Sequence, residues 1–132
     1  MNIIKKVSVL VSICVLAACS SAERVDEFSS LVGCYFNTRD VPIFHINREG
    51  NFSFPNGHVA GRVTLRHVGH VSLVDFRPAV QLAADRGSIV VNSRTAAEYP
   101  AISSNLGIVI GVRPSSEGEP PEPLVRRDGS CS

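Results

Sequence analysis

Lysine is missing from the chain after residue 6, because Lys5 and Lys6 are the only two it has. The remainder carries 11 Arg against 12 Asp and Glu and holds no long run of either sign. A nucleic-acid partner ordinarily shows as a basic stripe. Arg126-Arg127 is too short for one and reads as a solvated pair, so no nucleic-acid partner is expected. Apolar runs are short as well. The longest, the ten mostly apolar residues from Val7 to Leu16, falls well below the roughly 20 that a spanning helix needs. The chain also lacks a Gly-x-Ser-x-Gly elbow, a Gly-rich phosphate loop, an internal repeat and any amphipathic helix longer than two turns. These absences remove the commonest sequence signs of hydrolases, nucleotide-binding enzymes and helical bundles.

The N-terminus is the most informative stretch. Lys5 and Lys6 form a positive start, Val7 to Leu16 an apolar stretch, and Leu16-Ala17-Ala18-Cys19 a small-residue junction. Those are the three parts of a secretory signal. The junction resembles the lipobox of bacterial lipoproteins, with Leu16, Ala17, Ala18 and Cys19 filling its four places. The resemblance covers about 20 residues and implies a cleaved signal over 1–18. It also implies diacylglycerol on the thiol of Cys19 and acylation, typically by palmitate, of the new amine. Two or more acyl chains hold a protein on a bilayer where one holds only marginally. In enteric-type bacteria an Asp after the Cys favours the inner membrane. Ser20 stands there instead, which implies the outer membrane, periplasmic face.

Of the four cysteines, Cys14 leaves with the signal and Cys19 is committed to lipid. Cys34 and Cys131 remain as a pair in an oxidising compartment and are expected to form a disulfide. Bridged Cα atoms lie about 4.4–6.8 Å apart, so the start of the domain would sit beside its end.

Residues 19–30 are small, polar and charged and are expected to be a lipidated flexible tether, with Val25 to Phe28 as an alternative single helical turn. Residues 31–132 read as one β domain. Expected strands are Leu31 to Phe36, Val41 to Asn47, Asn51 to Phe54, His58 to Val68, His70 to Phe76, Leu106 to Arg113 and Leu124 to Arg127. Gly69 is expected to break or bulge the ladder. Ala79 to Ala84 and Ser88 to Asn92 flank Asp85-Arg86-Gly87 as a plausible hairpin, although the first of them also suits a short helix. Ser93 to Asn105 reads as irregular. The continuous apolar run in Leu106 to Arg113 suggests burial on both faces. Pro114 to Pro123 reads as a solvated, proline-rich loop. The fold class is therefore all-β: a small antiparallel meander of about seven or eight short strands closed as a barrel or sandwich.

Candidate chemistry is sparse. His67 and His70 have a metal-like spacing on a helix, but on a strand residues three apart face opposite ways. They read as structural histidines, and no metal or cofactor is expected. Asp40, Glu49, Asp75, Asp85 and Glu98 are scattered, mostly in turns. Arg39, Arg48, Arg62 and Arg66 could line an anion-binding face, and Arg62 and Arg66 share a strand parity. Asn51-Phe52-Ser53 matches a glycosylation sequon that a bacterial envelope would not use. The functional expectation is a membrane-anchored lipoprotein with a non-enzymatic binding, assembly or inhibitory role toward an envelope protein. One alternative is a barrel carrying an apolar ligand. The other is a hydrolase, which requires His58, His67 or His70 to meet Asp75 or Ser72.

Overall fold

The computed structural model describes residues 23–128 and Cys131; the signal expected over 1–18 and the lipidation expected at Cys19 lie outside the described residues. Eight strands form a closed antiparallel barrel: β2 (Gly33–Phe36), β3 (Pro42–Ile46), β4 (Asn51–Ser53), β5 (Val59–Val68), β6 (Val71–Arg77), β9 (Ala97–Ser104), β10 (Gly107–Val112) and β11 (Glu122–Arg127). Successive barrel strands pair with each other, and β11 returns to pair with β2 at Phe36↔Val125 and Cys34↔Arg127. A short β1 (Glu23–Arg24) adds to β9, while β7 (Ala79–Leu82) and β8 (Ile89–Asn92) form a separate hairpin between β6 and β9. Closure leaves the barrel wall without a long unpaired edge.

Alternation builds the core. Val63 faces Phe76 across β5–β6, and Tyr35 faces Phe44 across β2–β3. The rings of Tyr35 and Phe44 (5.1 Å), Phe44 and Phe76 (5.4 Å), Phe52 and Phe76 (5.1 Å) and Phe76 and Tyr99 (6.0 Å) run through the interior. Each such pair adds about 0.5–1.5 kcal/mol beyond the area it buries. Val25 and Leu31 join this cluster from one end of the barrel, and Val80, Leu82 and Ile89 from the other. Gly61 is needed opposite Phe52, since a Cβ there would collide with the Arg77 carbonyl, the Pro78 ring and the Phe52 ring.

Several expectations are corrected. The tether expected over 19–30 is docked from Glu23 onward: β1 is followed by buried Val25 and a 3-10 turn, Phe28–Leu31. Most of the stretch read as irregular, 93–105, is β9, which delivers Tyr99 and Ala101 to the core. Its signal was weak because small Ala97 and Ala101 flank Tyr99, and because Pro100 lies within the strand. The apolar run of β10 buries one face only: Ile108, Ile110 and Val112 turn inward and Val109 stays half-buried. Gly69 (φ 59°) breaks the ladder, as expected, rather than bulging it: with His70 it makes the two-residue turn between Val68 and Val71. The bulges fall instead at Tyr35/Phe36 and Phe52/Ser53. The last strand begins at Glu122, two residues before its expected start.

At the β7–β8 end, the turn over 83–88 is tied to its neighbours. Asn37 Nδ2 donates to the Arg86 carbonyl at 2.9 Å, and the Arg86 guanidinium meets Glu122 at 3.2 Å and also Glu119.

Candidate functional site

The end of the barrel where the chain enters the fold carries the most specific polar arrangement. β1 runs antiparallel to β9, with Glu23 opposite Ser103 and Arg24 opposite Ile102, so Glu23 lies at the rim and Val25 deeper. Ser72 is 1% exposed and its Oγ accepts a hydrogen bond from the Val25 N–H at 2.8 Å. The same hydroxyl donates to the Val25 carbonyl at 3.1 Å, and His67 Nε2 donates to that carbonyl at 2.6 Å. A carbonyl can only accept, so Nε2 of His67 bears the hydrogen. Ser72 and His67 are register partners on β5 and β6, which is why they reach one peptide group. Arg24 adds a contact to the Gly69 carbonyl at 3.3 Å and an ion pair with Asp26 at 2.8 Å.

Beneath this clamp, the Tyr35 hydroxyl donates to the Leu31 carbonyl at 2.7 Å and holds the 3-10 turn over the barrel mouth. Burial raises the Tyr35 pKa well above the usual phenol range, and nearby Arg126 opposes that shift only partly. Arg126 donates to the Val32 carbonyl at 3.2 Å and pairs with exposed Asp128 at 3.0 Å. Its Nε is buried without a partner. Arg126, Arg48, Phe28 and Val32 line an open groove of about 620 Å³ on this end. Around the rim, three large apolar side chains are exposed: Val68 and Val71 at 49% and Leu106 at 72%.

The hydrolase constellation is therefore assembled only in part. Ser72 and His67 meet, but both spend their polar atoms on the backbone of Val25. Asp75 is on the opposite face of β6, paired with Arg77 at 3.0 Å. His58 precedes β5 at the far end, and His70 is exposed in the β5–β6 turn. His67 and His70 do not share a face. Among the described residues no three His, Cys, Asp or Glu side chains gather where a metal could bind.

The four arginines considered together in the sequence do not share a face. Arg39 sits in the β2–β3 turn and donates to the Asp85 carbonyl, while Arg48 lies in the β3–β4 turn at the other end. Arg62 and Arg66 do face outward from β5. Arg66 grips Glu98 with two bonds of 2.7 Å, and the guanidinium hydrogen bond holds the Glu98 carboxyl below its ordinary value. Asp40 pairs with Arg127, whose guanidinium also stacks over the Phe36 ring at 4.3 Å. Asp85 accepts from the Gly87 N–H at 2.9 Å, and Glu49 lies exposed in the β3–β4 turn.

Cys34 and Cys131 are bridged, with Cα atoms 5.2 Å apart and a sequence separation of 97. Cys34 is fully buried yet outside the hydrophobic cluster. Tyr35 takes the inward place on β2, so Cys34 faces the outer side of the barrel wall, where it meets Cys131.

The Val25 clamp escaped the sequence reading. The one signal for it was a lone Val25 amid polar residues, together with Ser72 in the inward register of an otherwise apolar strand. No family model matches the chain, and no curated protein or solved structure matches it, so the site is read from its own geometry.

Proposed function

We propose that the chain is a lipid-anchored protein of the bacterial envelope whose barrel binds an envelope protein, in assembly or in inhibition, rather than catalysing a reaction. The reading rests on one observation: the last residue of the lipobox, Cys19, stands four residues before β1, the strand that docks on a barrel whose two chain ends are joined by a disulfide. Disulfides of this kind belong to oxidising compartments, which is where an acylated Cys19 would place the barrel. The interior is filled by aromatic and aliphatic side chains, and Ser72 and His67 are engaged with backbone, so the outer surface is what remains to meet a partner. On the half of the molecule far from Glu23, Val59 and Val90 are exposed at 63% and 48%. Apolar side chains of that kind on a rigid wall suit the centre of a protein contact.

The anchor is tested by labelling cells with radioactive fatty acid. Wild type should carry label and fractionate with outer membranes, and Cys19→Ala should lose both. Recovery of unlabelled protein in the cytosol with Met1 attached would overturn the reading. The partner is tested by a photo-crosslinking side chain at position 59 or 90 in cells. A discrete heteromeric product supports binding, and its absence at both positions removes it.

A further inference from the structure

The direction in which β1 enters the fold fixes which part of the barrel lies nearest Cys19. Glu23 is opposite Ser103, and Arg24 reaches the Gly69 carbonyl at 3.3 Å. The chain therefore joins the barrel between two tight turns, Val68-Gly69-His70-Val71 of β5–β6 and Asn105-Leu106 of β9–β10. Four peptide steps separate Cys19 from Glu23, which allows at most about 14 Å even when fully extended. The sequence alone suggested a flexible leash over residues 19–30. The docking of Val25 through Ser72 and His67 removes most of that leash.

We infer that the rim formed by Val68, Val71 and Leu106 rests in the interfacial layer of the bilayer that holds the Cys19 lipid, so that the barrel stands end-on against the membrane. This inference rests on the anchored reading above. Two independent features of the rim support it. Three of the five large apolar side chains that the described residues expose, Val68, Val71 and Leu106, are on the two turns flanking the entry point. The second is reach, since at most about 14 Å separates the acylated Cys19 from Glu23 beside those turns. Charge at that end is mixed, with exposed Glu23, Glu27 and Glu49 beside the paired Arg24 and Arg126, so the apolar turns and the short reach carry the placement. Apolar side chains on turn tips, held within reach of a bilayer by an acyl anchor, gain from partial burial what a swinging domain could not use. The opposite end, with the β7–β8 hairpin, then faces away from the membrane and stays open to a partner.

The chain has no tryptophan, so one introduced residue gives an unambiguous reporter. Acylated protein carrying Leu106→Trp, Val71→Trp or, as the distal control, Val90→Trp is purified and reconstituted into phosphatidylethanolamine–phosphatidylglycerol vesicles containing brominated acyl chains. Bromine quenches tryptophan only at close range. Leu106→Trp and Val71→Trp should be quenched at least twofold with blue-shifted emission, and Val90→Trp should be unaffected. Equal and negligible quenching at all three positions, with Cys19 acylation confirmed by intact mass, overturns the end-on placement while leaving the anchor standing. Absence of acylation in that mass measurement would instead strike the anchored reading itself. Protein with Cys19→Ser and Leu106→Trp should lose its quenching, because three apolar side chains at turn tips do not hold a barrel on a membrane without the acyl chains.

Discussion

Ser72 satisfies both backbone polar groups of Val25 with a single hydroxyl, accepting from the N–H at 2.8 Å and donating to the carbonyl at 3.1 Å. A residue that reads as tether is thereby made part of the barrel plug. The serine is buried and its partner peptide lies against the core, so water does not replace the bonds if the hydroxyl is removed.

Ser72→Ala should therefore cost about 1–3 kcal/mol, the penalty for leaving buried polar groups unpaired. The loss should be local: amide exchange at Val25 should accelerate strongly while the amides of β3 and β10 keep their protection. Chemical denaturation and hydrogen exchange of the purified protein check both. Unchanged exchange at Val25 would show that His67 and β1 hold the segment without Ser72.

Removal of the Cys34–Cys131 bridge should be the most costly single covalent change. A closed loop of about 100 residues corresponds to roughly 4.7 kcal/mol in the chain-entropy model, and loss of a native bridge in a small domain typically costs about 2–5 kcal/mol. The double variant Cys34→Ser with Cys131→Ser should unfold at markedly lower denaturant. Its barrel should survive at low temperature, because the bridge lies outside the hydrophobic cluster. Urea titrations followed by circular dichroism, with and without reductant on wild type, measure it.

The alkaline stability leg should belong to the tyrosines. No lysine follows residue 6, so between the unfolded phenol pKa of about 10 and the arginine range the groups that can release protons are Tyr35 and Tyr99. Both are raised by burial in the folded protein. A raised folded pKa means stability is fully present below the unfolded value and falls as pH rises above it. The slope should reach at most about 1.4 kcal/mol per pH unit for each tyrosine. Tyr35→Phe should lower stability at neutral pH, since the bond to the Leu31 carbonyl is lost, yet flatten the decline above pH 10. Denaturation at a series of pH values separates the two effects.

The sequence by itself determined the all-β class, most strand positions and the pairing of Cys34 with Cys131. Those rest on local pattern: apolar alternation around inward Phe44, Phe52, Val63 and Phe76, turn residues between strands, and a thiol count that left one pair. Only the tertiary structure decided how the ends of the barrel are closed. Val25 is a single apolar residue, and Tyr99 stands between small alanines and a proline, so neither segment carries periodicity strong enough to mark it. Their places depend on partners far along the chain: Ser72 for Val25, and the Val80 carbonyl for the Tyr99 hydroxyl at 2.5 Å. A local pattern reports which face of a strand is apolar. Which segment plugs the barrel is set by long-range hydrogen bonds that exist only once the sheet has closed.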